Sequence, residues 1–272
     1  MPASSSRSRC SPRAGRTLRQ SLVGRTLRQS LVGRTLRQSL VGRTLRHPLA
    51  GLVLLSILPI ASACAPANGA ERVQEWRVLF DGRSLRGWQG HRTPGVLPEG
   101  WAIEDGALTR VGGGGDLVTV DQFANFELEF EWRVPRGGNS GVFYRIDPEV
   151  EVTYMSAPEY QVLDDAVHAD GRSRLTSAGS AYGLYPAPEG HTRPVGEWNT
   201  GRIVVNGALV EHWLNGTRMV AYELWSPDWE AKVKASKFNA WPRYGRATRG
   251  HVGVQDHGDR VSFRNIRIRE LP

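Results

Sequence analysis

Phe126-Glu-Leu-Glu-Phe-Glu-Trp-Arg-Val134 alternates apolar and charged residues without a break. A period of two puts Phe126, Leu128, Phe130, Trp132 and Val134 on one side, the pattern of a half-buried β-strand. The same signal recurs outward from it. Ile203–Val205 and Ala208–Leu214 flank Asn206-Gly207, and Asn215-Gly216 leads into Thr217–Leu224. Asn-Gly accepts the positive φ of tight hairpins, so these runs predict a three-stranded antiparallel meander. Val252–Gln255 and Val261–Ile268 are expected to form a closing pair. The apolar phase changes between Phe263 and Ile266, which predicts a bulge. One short helix is expected at Pro227–Ala235, with Asp228 and Glu230 in its first turn. About a dozen short strands with loops on both sides give an all-β, two-sheet antiparallel jelly-roll sandwich.

The chain has 272 residues, a formal charge of +8, two Cys and nine Trp. Two cysteines exclude a disulfide scaffold and a multi-cysteine metal finger. The basic excess is local. Residues 1–63 hold 11 of the 35 basic residues and no acidic ones, so residues 64–272 carry 24 basic against 27 acidic, a net of −3. A nucleic-acid partner is therefore not expected, because phosphate binding needs a basic face on the folded domain. Residues 1–48 form an Arg-rich leader in which GRTLRQSLV occurs at 15–23, 24–32 and 33–41. The unit is too short for a solenoid repeat. Residues 49–63 combine an apolar run with Ala61-Ser62-Ala63, which reads as a secretory signal. Cys64 directly after it resembles the lipid-bearing cysteine of bacterial lipoproteins. The expectation is an exported, periplasmic or cell-envelope protein that meets the membrane only through a lipid on Cys64. Residues 64–75 read as a tether and 76–272 as the β-domain.

Several segments in order resemble one family. They include Leu79-Phe80-Asp81-Gly82, Asn139-Ser140-Gly141-Val142, Glu159-Tyr160-Gln161-Val162-Leu163-Asp164, Gly196-Glu197-Trp198-Asn199, His212-Trp213-Leu214-Asn215-Gly216, Ser236-Lys237-Phe238 and Gly253-Val254-Gln255-Asp256-His257-Gly258. Together they resemble the 3-keto-disaccharide hydrolase family. The resemblance implies a concanavalin A-like lectin/glucanase jelly roll and action on sugars oxidised to a ketone at C3. That ketone acidifies the C2 hydrogen. A base removes the proton, the C1 oxygen leaves by elimination, and water adds later. Such chemistry needs a base working near neutral pH and donors facing the enolate oxygen, not the paired carboxylates of ordinary glycosidases. The resemblance further implies a separate sugar 3-dehydrogenase, since no dinucleotide fingerprint is present here. One divalent metal ion is compatible with it, held by Glu, His and Asp from separate strands. A non-catalytic carbohydrate-binding module is the alternative, because fold alone does not give function.

Glu159 and Gln161, two apart on a strand, share a face and suggest a polar-lined groove. On the mechanism above, Glu159 is the base or a metal ligand. Gln255, Asp256 and His257 end a strand before Gly258, which suits a sugar site, and His257 is the acid–base candidate. Asn139, Tyr144, Arg145, His212 and Lys237 are the further substrate-binding candidates. Tyr144 and Arg145 cannot both face one groove on a regular strand, and His212 is equally well read as packed in the sheet. Trp132 and Trp213 read as core, while Trp225 or Trp241 suits stacking on a sugar ring. His91, His168 and His191 receive no role.

Overall fold

The computed structural model describes residues 75–272. The leader, the signal-like run, Cys64 and the tether up to residue 74 lie outside the described residues. Thirteen strands and one α-helix build the domain. In chain order they are β1 (Arg77–Phe80), β2 (Trp88–Gly90), β3 (Trp101–Glu104), β4 (Ala107–Arg110), β5 (Leu117–Phe123), β6 (Phe126–Arg133) and β7 (Asn139–Ile146). There follow β8 (Glu159–Leu163), β9 (Asn199–Asn206), β10 (Leu209–Leu214), β11 (Thr217–Glu223), helix α1 (Pro227–Ala235), β12 (Gly250–Val254) and β13 (Ser262–Glu270). All paired strands are antiparallel. One sheet runs β11-β10-β9-β6-β13-β4-β3 with β1 also on β13, and the other runs β2-β5-β12-β7-β8. The two sheets form a jelly-roll sandwich.

Strand β6 shows why the layers stack. Phe126, Leu128, Phe130 and Trp132 are all buried in the core. On the opposite face Glu127, Glu129 and Glu131 stand across from Arg269, Arg267 and Arg264 of β13 and pair with them. The ladder covers this face with paired charges; the solvent-facing Glu129–Arg267 and Glu131–Arg264 pairs contribute only about 0–1 kcal/mol each, while the Glu127 carboxylate is itself buried. The expected bulge in β13 is present. Register shifts between Arg264 and Arg267, and Asn265 takes a φ of 52°. The extra residue lets Phe263, Ile266 and Ile268 all reach the core.

The meander forms as β9, β10 and β11. Its second turn has positive φ at both Asn215 (48°) and Gly216 (84°), as a type I′ hairpin requires. The first turn lies one residue later than expected: Asn206 pairs with Leu209, so Gly207 (φ 59°) and Ala208 make the bend. Helix α1 matches its expected bounds. Ser226 accepts from the Trp229 N–H at 3.2 Å, Pro227 fills the first turn, and Trp229 and Val233 are buried.

Two expectations fail. Val252–Gln255 and Val261–Ile268 do not pair; β12 sits between β5 and β7 in the smaller sheet, and β13 between β6 and β4 in the larger. Adjacent strands of a sandwich often cross between sheets, and strand composition carries no record of it. Trp213 is half-buried on the outer face of β10, with Arg202 4.2 Å from its ring centroid and its indole N–H donating to Glu211. Its neighbour His212 takes the core-facing place.

Candidate functional site

The outer face of the smaller sheet carries the site. Strands β7 and β8 pair with Phe143 opposite Glu159 and Gly141 opposite Gln161. Tyr160 and Val162 point into the core, while Glu159 and Gln161 point outward into a cleft. Gly141 makes room for the acid: a Cβ there would collide with Glu159 Oε1. Loops from distant parts of the chain close over this face. Asp170 and Tyr182 come from the segment after β8, Lys237 and Phe238 from the turn after α1, and Tyr154 from the turn after β7. The lobe they enclose measures about 190 Å³.

Burial dominates the electrostatics of this lobe. It pushes the Glu159 carboxyl up to about 8, with the negative charges of Asp116 and Asp170 adding to the rise and Lys237 opposing it. The Lys237 ammonium lies 4.4 Å from the Tyr182 ring centroid. Tyr182 donates to Asp170 at 3.3 Å, and burial with that negative charge pushes its hydroxyl up to about 12. The Asn139 side-chain amide lies 3.4 Å from Nε2 of both His168 and His257. The backbone N–H of Asp170 donates to His168 Nδ1 at 3.1 Å and fixes that ring. Four buried polar atoms on this wall have no hydrogen-bond partner: Asn139 Oδ1, both amide atoms of Gln161, and Gln255 Oε1. Buried polar groups are almost always paired within a protein, so a cluster of unpaired ones on one wall marks a place for a polar ligand.

A second lobe of about 370 Å³ adjoins the first and shares Tyr154, Gln255 and His257 with it. Asp116 lies on its floor, accepting from the Asp256 N–H at 2.8 Å and from the Thr153 hydroxyl. Burial holds the Asp116 carboxyl above its ordinary range.

Residues 75–269 match the family model described as a 3-keto-alpha-glucoside-1,2-lyase-like domain. The chain belongs to this family. A curated relative from Bacteroides thetaiotaomicron, named 3-keto-disaccharide hydrolase, is 39% identical over 226 residues, covering 71% of this chain and 78% of the relative. A solved structure of a candidate glycosyl hydrolase from Parabacteroides distasonis is 32% identical at a TM-score of 0.66, covering 72% of this chain and 94% of that one. A second from the same organism is 28% identical at a TM-score of 0.58, covering 73% and 100%.

Within this family member the structure brings Glu159, Gln161, Asn139, Lys237, Gln255 and His257 onto one lobe. Asp256 lines the second lobe, held by Arg110 at 2.5 Å and by the Gly115 N–H at 3.1 Å. Three expected binding residues are elsewhere. Tyr144 and His212 are fully buried in the core, where Tyr144 O–H lies 3.0 Å from His212 Nε2. Tyr144 with Val142 of β7, and His212 with Val210 and Leu214 of β10, face the opposite sheet, so neither side chain reaches the cleft. Arg145 takes a φ of 53° at a register shift between β7 and β12. Its guanidinium turns away from Glu159 and donates to the carbonyls of Ala124 (2.9 Å) and Gly207 (2.8 Å). Trp225 packs over that same guanidinium at 5.7 Å. Trp241 reaches the cleft only indirectly, packed against the rim residue Tyr154 at 5.2 Å.

His168, Asp170, Tyr182, Tyr154, Asp116 and His91 are site residues that sequence reasoning did not pick. They sit in loops without a spacing partner. The one usable signal was density, since His168 and Asp170 fall within a few residues of the Glu159–Asp164 segment.

As for a divalent metal, no group of three His, Cys, Asp or Glu among the described residues converges as a ligand set. The closest donor arrangement in the cleft is His168 and His257, with ring centroids 6.2 Å apart and the Asn139 amide between them. His168 Nδ1 accepts from the Asp170 N–H, so its Nε2 carries the proton and offers no lone pair, and this trio does not fit a metal ion.

Proposed function

We propose that this chain cleaves glycosidic bonds of sugars that carry a ketone at C3. The single observation that carries the proposal is Glu159: a carboxyl buried under a polar cleft, with its proton affinity raised to about 8. Ionised, it is a far stronger base than an exposed glutamate, and it titrates near the pH at which it has to work. A pure sugar-binding module gains nothing from so costly a buried acid.

The steps follow from the side chains around it. The Glu159 carboxylate takes the C2 proton, and the C2–H electron pair forms an enolate with its charge on the C3 oxygen. The Lys237 ammonium and the amide N–H groups of Asn139 and Gln161 oppose that charge. The enolate re-forms the ketone, the C1–oxygen bond breaks, and His257 protonates the departing oxygen. Water then adds across C1 and C2, with hydroxyl to C1 and a proton returned to C2. The net change is a glycoside plus water giving an alcohol and a 3-keto sugar, with no redox change. The ketone has therefore to be made beforehand by a sugar 3-dehydrogenase.

Incubation of the purified chain with a 3-keto-disaccharide in deuterium oxide tests this. The expected result is free sugar with deuterium at C2, both lost in Glu159→Gln. Cleavage with no deuterium at C2 would mean direct hydrolysis and overturn the proposal. We also propose export and lipid attachment at Cys64, supported by the signal-like run before it. Labelled fatty acid incorporated by the wild type and absent from Cys64→Ser is the expected outcome.

A further inference from the structure

The cleft does not end above Glu159. Tyr154, Gln255 and His257 form a partition with space on both sides. The far lobe is about 370 Å³ against 190 Å³ for the near one. Asp116 and Glu151 line it with His91 and no Lys or Arg, and the third lining carboxylate, Asp256, is already paired with Arg110 at 2.5 Å. Gln255 Oε1 is buried at the partition without a partner. The floor is open at Gly115, where nothing lies within 4 Å of the position a Cβ would take.

Resting on the function proposed above, we propose that the far lobe is the subsite for the leaving group. The oxidised ring sits over Glu159, the bond that breaks lies at the partition beside His257, and the departing sugar lies between Thr93 and Glu151. Carboxylates accept hydrogen bonds from hydroxyls and ammonium groups and repel other anions. The lobe therefore takes a neutral, hydroxyl-rich or amino-bearing leaving group and disfavours a uronate or a phosphate.

The test compares two substrates, a methyl 3-keto-glucoside and a 3-keto-disaccharide whose leaving group is glucose, in the full chain and in Thr93→Trp and Glu151→Trp. Both positions are exposed, so a large side chain there fills the lobe without entering the core. The ratio of kcat/KM for disaccharide over methyl glucoside is expected to fall about tenfold in each variant, mainly through KM. A ratio that stays constant overturns the subsite. A disaccharide with a uronate leaving group is expected to react about tenfold more slowly than the neutral one, and Glu151→Lys to narrow that gap. Equal rates for the two in the wild type overturn the charge selection. Calorimetric binding of the disaccharide to Glu159→Gln, with and without Thr93→Trp, reads the subsite without turnover. If the wild type cleaves neither substrate, the chemistry proposed above fails, while weaker binding on adding Thr93→Trp still supports the subsite and unchanged binding still overturns it.

Discussion

The two faces of the β7–β8 layer are built from alternate residues of the same strands, equally buried, and opposite in their hydrogen bonding. On the inner face Tyr222 O–H donates to Tyr144, Tyr144 O–H to His212 Nε2, and His212 Nδ1–H to the carbonyls of Gly179 (3.3 Å) and Ser180 (3.2 Å). Every side-chain polar atom in this series has its partner. This order leaves His212 neutral, and burial pushes its imidazole down to about 4. On the outer face Gln161 is 1% exposed and Asn139 2%, no more open than Tyr144 or His212 at 0%. Yet both amide atoms of Gln161 and Oδ1 of Asn139 are unpaired. Leaving a buried polar group unpaired costs about 1–3 kcal/mol. Burial therefore does not separate the two faces of these strands; what differs is that the outer amides are unpaired while the inner Tyr144 and Tyr160 hydroxyls are paired.

The largest expected effect falls on the outer face alone. Glu159→Gln is expected to lower kcat by about 10²–10⁴, the usual contribution of a positioned base, with the domain still folded by circular dichroism. Because a base acts ionised, the acid limb of the wild-type rate profile is expected to climb with pH through about 8. A flat profile would remove Glu159 from the base role. The same group has the opposite effect on stability. Its folded pKa lies above the ordinary value of 4.5, so the folded state holds more protons, and its contribution is lost as pH rises from 4.5 through 8. Melting curves of Glu159→Gln are expected to lack that decline.

The inner face should break in the other currency. His212→Ala empties a core site and strands the Tyr144 hydroxyl, an expected loss of about 3–5 kcal/mol in denaturant unfolding. Activity of the fraction that remains folded should change little. The pH dependence has the reverse sign. His212 is depressed from 6.5 to about 4, so its contribution is present above 6.5 and is lost as pH falls through 4. A variant with lost activity and unaltered stability would erase the distinction between the faces.

Gly141→Ala sharpens the comparison from the backbone side. The added methyl collides with the Glu159 carboxyl, and activity is expected to fall by about tenfold or more through misplacement of the base. A normal rate would mean that the carboxyl works from another position. The smallest effect is also the most diagnostic. Gln161→Leu removes two unpaired amide atoms and is expected to stabilise the ligand-free domain by about 1 kcal/mol. It should raise KM at the same time, the trade expected where a site is kept at a cost in stability. If Gln161→Leu destabilises the domain, its amide is satisfied and the outer wall is structural.

Some of this was legible from composition and order. The alternation of β6, the Asn215-Gly216 turn, the bulge at Asn265 and helix α1 are each written in a few consecutive residues, and local sterics decide them. The shared face of Glu159 and Gln161 follows from a strand's period of two. Tyr144, Arg145 and His212 misled for the complementary reason. A period of two separates the faces without saying which one meets the other sheet, and a single left-handed residue at Arg145 interrupts the count. His168, Asp170 and Tyr182 gave no signal, since a loop has no period.

The amino-acid order by itself determined an all-β sandwich, its meander and helix, and a polar pair at Glu159 and Gln161, because backbone conformation depends on near neighbours. The folded molecule alone decided that this pair lies in a cleft while His212 lies in the core. That choice depends on which remote segments cover each face, and only packing sets the burial and charge that lift one carboxyl to near-neutral proton affinity.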